Sequence, residues 1–167
     1  KYRTWEQALE RAKRFRSVKG LISCFHGGFD PPHLGHAKMC SRLYRFGPMF
    51  VGFDPNWWLT IRRSSRDNSV HPRFSQLAWR MWEIASLPSV DTVFVLPVDK
   101  GHTDEFFEIY RALGVQVLGC DAQHRLRPEY ERQMQLLGGS VLAIDNKDLS
   151  ATQIHERSLV SERYDYI

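Results

Sequence analysis

The sequence has few cysteines and no long apolar run. Its three cysteines, Cys24, Cys40 and Cys120, are odd in number and too far apart along the chain to form a metal-ligand pair. A disulfide framework is therefore not expected, and a reducing compartment fits this usage. No apolar stretch is long enough to span a membrane, and no signal peptide is evident. These absences predict a cytoplasmic protein that makes no membrane contact.

The chain also lacks internal repeats, low-complexity segments and linkers, so we expect one domain over residues 1–167. That length is sufficient for a sizeable hydrophobic core. The formal net charge is +4 and the isoelectric point is about 9.1, which suits a polyphosphate ligand as well as a solvated basic surface. No basic run is interleaved with aromatic residues, and this disfavours a nucleic-acid partner.

Short apolar runs alternate with segments of helical periodicity along the whole chain. Five runs are predicted to be buried strands, and they cover residues 21–25, 49–53, 93–96, 115–118 and 141–144. Residues 57–69 show no clean period and are predicted to form a loop. Alternating strands and helices imply right-handed βαβ units. The sequence therefore predicts an α/β fold with a doubly wound, mostly parallel five-stranded sheet and helices on both of its faces.

A glycine turn joins the first predicted strand to a helical pattern. Gly27 and Gly28 follow the strand, and His33 and His36 stand three residues apart where the helix begins. Glycines allow the backbone to approach an anion closely, and the first N–H groups of a helix have no partner in their own helix. Both histidines can reach the same bound group. The stretch is therefore predicted to hold phosphate.

Residues 27–36 have the form Gly-x-Phe-Asp-x-x-His-x-Gly-His. This pattern resembles the signature of the nucleotidyltransferase superfamily with the HxGH motif, which includes cytidylyltransferases and nucleotide adenylyltransferases. Residues 51–63 and 89–93 are similar to glycerol-3-phosphate cytidylyltransferases and heptose-phosphate nucleotidyltransferases. Residues 150–157 resemble the second signature of the superfamily, at a predicted helix start. The resemblance implies a Rossmann-like fold and a single nucleotidyltransferase domain.

The resemblance also implies roles for individual residues, none of them as a metal ligand. The resemblance implies catalytic roles for His33, His36, Arg62 and Arg63. Nucleotide contacts fall on His26, Gly27, Gly28, Phe29, Asp30, Gly35, Asp121, Ser150, Thr152 and Arg157. Contacts with the acceptor fall on Asp54, Trp57, Trp58 and Arg66.

Some of these residues have an alternative structural role. Asp30 is as well suited to cap the turn, and Asp121 could either accept from an exocyclic amine of the base or cap a turn. The chain also departs from the family. Ala151 replaces a threonine, Gln76 stands where many relatives have arginine, and residues 145–149 lack the arginine and glycine of the cytidylyltransferases. The last departure weakens an assignment to CTP.

The function implied is transfer of CMP or AMP from a nucleoside triphosphate to a phosphorylated small acceptor, such as a sugar or polyol phosphate, with release of pyrophosphate. Mg²⁺ would bind through the nucleotide phosphates, because the sequence shows no carboxylate cage. Relatives often form dimers, so a homodimer is compatible with the resemblance. The alternative is a nucleotide-binding regulatory domain of the same fold with little or no turnover. An RNA-binding module would rest only on the basic charge and two tryptophans.

Overall fold

The structure, a computed structural model, describes residues 1–64, 76–99 and 103–145. Within these ranges one or two helices separate each strand from the next, which agrees with the predicted α/β pattern. The elements are α1 (Trp5–Lys19), β1 (Ser23–Gly27), α2 (Leu34–Leu43), β2 (Met49–Phe53), α3 (Asn56–Ser64), α4 (Leu77–Ser86), β3 (Thr92–Val95), α5 (Thr103–Leu113), β4 (Val117–Asp121), α6 (Arg127–Leu136) and β5 (Ser140–Ile144). None of these helices is both long enough and apolar enough to cross a bilayer.

The five strands form one sheet in the order β3-β2-β1-β4-β5, and every neighbouring pair is parallel. From β1 the chain first winds towards β3 and then crosses back to β4 on the other side of β1. The order therefore reverses between β1 and β4, and sheets of this kind bind their ligands beyond the carboxyl ends of the strands at such a reversal. This confirms the predicted doubly wound sheet.

Side chains of the strands alternate between two hydrophobic clusters, one on each face of the sheet. Cys24 and Phe50 belong to the cluster covered by α1, α5 and α6. Val51 and Val93 belong to the cluster covered by α2 and α4. Because successive strand residues point to opposite faces, a strand buried on both sides needs apolar residues at consecutive positions. Burial of the strands on both faces therefore explains the continuous apolar runs in the sequence.

Three predicted boundaries were wrong by two residues or more. The first strand runs from Ser23 to Gly27 instead of 21–25. Residues 56–64, most of which were predicted to lie in a loop, form α3, and the N–H of Leu59 donates to the carbonyl of Pro55 at 3.2 Å. Proline is tolerated at a helix start, where its missing N–H costs nothing, so Pro55 can stand directly before this helix as well as ending the strand. The fourth strand runs from Val117 to Asp121 instead of 115–118, because the N–H of Val115 donates to Tyr110 in the turn after α5.

Candidate active site

Polar residues collect where β1, β2 and β4 end and α2 begins. The glycine turn follows β1, Asp54 follows β2, and Asp121 is the last residue of β4. The parallel register places these strand ends at one edge of the sheet. The described residues from these separate motifs therefore lie at the same end of the sheet, close to the reversal of strand order.

The glycine turn is held from two sides. The carbonyl of Gly27 accepts from the N–H of Asp54 at 2.9 Å, and the carbonyl of Gly28 accepts from the guanidinium of Arg80. A Cβ on Gly28 would lie 2.6 Å from Cδ2 of Leu59, a residue of α3. A larger residue at position 28 would therefore displace the side chain of Leu59, and glycine allows the turn to pack closely against α3.

Phe29 has a strained backbone and a buried side chain. Its φ is +50°, in the left-handed region that costs a non-glycine residue about 1–3 kcal/mol. The ring packs against Phe53 with centroids 4.7 Å apart and meets the imidazole of His36 edge-on at 4.9 Å. Only the backbone of Phe29 therefore remains for a ligand, while its ring fixes the position of His36. Asp30, next in the chain, is buried with 6 % exposure.

His33 and His36 form a stacked pair at the start of α2. Their ring centroids are 3.6 Å apart and the rings are inclined by 26°. The backbone N–H of His33 donates to Nδ1 of His36 at 3.1 Å. Because Nδ1 of His36 is an acceptor, the ring proton of neutral His36 must sit on Nε2. His36 can therefore donate a hydrogen bond from Nε2 without carrying a charge.

The two imidazoles differ in their environments. Burial, followed by the neighbouring His33, lowers the pKa of His36 to about 3. Burial also lowers the pKa of His33, although the carboxylate of Asp121 opposes that shift. Within the described part of the chain, Nδ1 of His33 is buried and has no hydrogen-bond partner. The pair thus combines a neutral donor with a second imidazole whose protonation responds to nearby negative charge.

We expect His36 to make the stability of the protein depend on pH. Its pKa is lower in the folded chain than in the unfolded chain, so its contribution is complete above about pH 6.5 and is lost as the pH falls. Between pH 7 and 5.5 the free energy of unfolding should fall by about 1 kcal/mol more in the wild type than in His36→Asn. Urea denaturation at both pH values measures the free energy of unfolding of each protein. An equal change between pH 7 and pH 5.5 in the wild type and in His36→Asn would contradict the expectation.

His26 faces the opposite side of the sheet from this pair. Its Nε2 lies 2.7 Å from the hydroxyl oxygen of Tyr110, and its ring stacks on Phe106 at 4.8 Å. Burial raises the pKa of Tyr110 well above its usual value, so the hydroxyl stays protonated. His26 therefore links β1 to α5, and its predicted nucleotide contact remains a prediction. Asp54 is fully buried beside the same strand.

Asp121 caps the turn that follows β4. One carboxylate oxygen accepts from the N–H of Gln123 at 2.8 Å, and the carbonyl of Asp121 accepts from the N–H of His124 at 3.0 Å. Asp121 thus has the turn-capping role, which is one of the two roles that the sequence suggested for it. The carboxylate of Asp121 also acts on the pKa of His33, which it raises against the larger lowering by burial.

The residues predicted to contact the acceptor are only partly described. Trp57 is 42 % exposed on α3, and the ring of Trp58 meets it edge-on at 5.9 Å. Arg62 and Arg63 belong to the same helix. Four further predicted residues lie outside the described ranges, namely Arg66, Ser150, Thr152 and Arg157.

Sequence reasoning missed Arg80 and Asn56. Arg80 is completely buried in α4, and its guanidinium donates to Oδ1 of Asn56 at 2.7 Å as well as to Gly28. Spacing provided a signal, because Arg80 lies three residues after Leu77 and four before Ile84, on the apolar stripe of its helix. A cationic side chain that is buried on that stripe needs hydrogen-bond acceptors in the core, so its position indicates a polar contact there.

Among the described residues, no group of three or more histidine, cysteine, aspartate or glutamate side chains could hold a metal ion. The described donors that a ligand could meet are imidazoles and backbone N–H groups, which bind anions rather than Mg²⁺. These residues fit a Mg²⁺ ion that arrives bound to the oxygens of its nucleotide. The chemistry the ion would then supply is neutralisation of phosphate charge.

Comparison with solved structures finds the same fold in other proteins. A lipopolysaccharide core biosynthesis protein from Thermoplasma volcanium superposes with a TM-score of 0.55 at 16% identity, over 78% of this chain and 98% of the other. Pantoate-beta-alanine ligase from Francisella tularensis, complexed with beta-gamma ATP and beta-alanine, superposes with a TM-score of 0.59 at 13% identity, over 96% and 77%. No protein-family model and no curated protein sequence matches the chain. These likenesses establish the α/β, Rossmann-like fold.

Proposed function

We propose that the protein is a nucleotidyltransferase that transfers CMP or AMP from a nucleoside triphosphate to a phosphorylated small acceptor. The observation that supports this most directly is the stacked pair of His33 and His36 at a helix N-terminus, directly after a glycine turn. The imidazole of His33 as a whole is only part-buried, so a ligand oxygen could reach this ring beside the first N–H groups of α2. A polyphosphate would accept hydrogen bonds from both.

The reaction would be an in-line displacement at the α-phosphorus. An oxygen of the acceptor's phosphate forms a bond to this phosphorus as the bond to the bridging α–β oxygen breaks, and pyrophosphate leaves with that electron pair. The Nε2–H of His36 would donate to a phosphoryl oxygen as negative charge develops there. The negative charge of the phosphates would favour protonation of His33, which would then donate as a cation. No protein nucleophile is required.

The nucleotide and the acceptor are proposed as classes. The solved ligase of this fold is complexed with beta-gamma ATP, which supports a nucleoside triphosphate as one substrate. The half-exposed Trp57 and the neighbouring arginines of α3 would suit a phosphorylated sugar or polyol. The departure at residues 145–149 favours ATP over CTP, although the resemblance to cytidylyltransferases favours CTP.

Calorimetry with CTP and with ATP, each with Mg²⁺, tests the proposal first. Pyrophosphate release is then measured with a panel of sugar phosphates, polyol phosphates and phosphorylated vitamin precursors. Release with one acceptor would establish the reaction, and a clear nucleotide preference would identify the base. Binding without release from any acceptor would favour the regulatory domain. Failure to bind either nucleotide would refute the proposal.

A further inference from the structure

The largest completely buried side chain in the described structure is that of a cation. Arg80 is 0 % exposed, whereas arginine is rarely buried unless its charge and donors are engaged. Its guanidinium donates to the carbonyl of Gly28 and to Oδ1 of Asn56. The side chain thus joins α4 to the glycine turn and to the first residue of α3. Because burying a guanidinium costs free energy, we expect Arg80 to have a role other than filling space.

The contact with Gly28 has a consequence for the next peptide group. A peptide unit is planar and trans, so its N–H points in the direction opposite to its carbonyl. When Arg80 binds the carbonyl of Gly28, the N–H of Phe29 must point away from the core. The N–H of Asp54 holds the preceding unit through the carbonyl of Gly27, in continuation of the parallel pairing of β1 with β2. Two consecutive peptide units are therefore held through their carbonyls.

The same peptide unit leads into the strained residue. Phe29 has a φ of +50°, a conformation that persists only where the surroundings impose it. The ring of Phe29 is held by Phe53 and contacts His36, while the carbonyl before it is held by Arg80. Without the guanidinium, the Gly28–Phe29 unit could rotate towards a more favourable conformation, since Gly28 has no side chain to resist.

We propose that Arg80 is a positioning residue for the phosphate site, acting through the Gly28–Phe29 peptide unit and not through contact with the substrate. The inference rests on the proposed function, because it assigns a role within that site. The planar fork of the guanidinium reaches two acceptors on different elements at once. An ammonium group in its place keeps the charge but presents a single point of contact. Geometry, rather than charge, is therefore what Arg80 supplies.

The test compares Arg80→Lys with Arg45→Lys, the same change at an exposed position of the turn after α2. For Arg80→Lys we expect kcat to fall at least tenfold, because small displacements in a reacting site have effects of up to about 100-fold. The KM for the acceptor should stay within twofold, and Arg45→Lys should match the wild type. Thermal unfolding must show that each variant is folded at the assay temperature.

A second variant keeps the test decisive if Arg80→Lys does not fold. Asn56→Ala removes one acceptor of the guanidinium from the first turn of α3, and kcat should fall about threefold to tenfold with an unchanged KM for the acceptor. Variants that fold and keep kcat within twofold of the wild type would overturn the proposal, as would a loss confined to KM. The two hypotheses fail differently, since a wild-type protein that binds neither nucleotide refutes the proposed function itself.

Discussion

Replacing His36 by asparagine is expected to lower kcat by about 100- to 1,000-fold, the usual cost of removing one donor to a developing negative charge. Asparagine retains an acceptor near the position of Nδ1, which receives the backbone N–H of His33 at 3.1 Å in the wild type. The start of α2 should therefore be preserved. The variant lacks the Nε2–H of His36. In the wild type this imidazole is neutral because burial lowers its pKa to about 3, and its proton lies on Nε2 because Nδ1 is an acceptor.

Steady-state kinetics with the nucleotide and acceptor identified by the binding assay measure this loss. His36→Gln is expected to retain more activity than His36→Asn, since the glutamine amide places a donor near the position of Nε2. Lys38→Asn introduces the same residue at an exposed position of α2 and should leave kcat unchanged. A His36→Asn protein that is folded and keeps more than a third of the wild-type kcat would exclude the role assigned to Nε2.

Replacing Phe50 by alanine is expected to destabilise the fold by about 3–5 kcal/mol, the range for deleting a fully buried phenylalanine ring. Phe50 lies on β2 in the cluster between the sheet and α1, with no exposed surface. The ring of Phe15 in α1 meets it edge-on at 6.1 Å. Alanine would leave a cavity in the centre of this cluster, and a rigid sheet can collapse around it only in part.

Urea denaturation at neutral pH gives the loss of unfolding free energy, provided that the slope with denaturant is unchanged. Phe46→Ala is the matched control, because the same ring is removed from a residue that is 45 % exposed after α2. Its effect should stay within about 0.5 kcal/mol. Similar losses for both variants would show that the ring of Phe50 does not occupy a packed core position.

The sequence alone determined the fold class and predicted where a candidate site lies. Apolar runs at consecutive positions require strands covered on both faces, and such strands with helices between them leave few arrangements besides a doubly wound sheet. Glycines followed by His33 and His36 at a helix start indicate an anion site, because these properties belong to local backbone geometry. Each inference depends on neighbours along the chain. α1, with its capping residue Thr4 and its end at Gly20, was predictable for the same reason.

Tertiary structure decided which residues hold the site together. Arg80 binds Gly28 across 52 positions of sequence, and Tyr110 meets His26 across 84. No local pattern encodes such a pairing, because the partners are brought together by the crossover of the chain and by the packing of helices on the sheet. Those pairings assign His26 to the α5 side and make an arginine on an apolar stripe part of the glycine turn. Short motifs thus identify the residues of the candidate site. Their geometry depends on contacts that only the assembled fold creates.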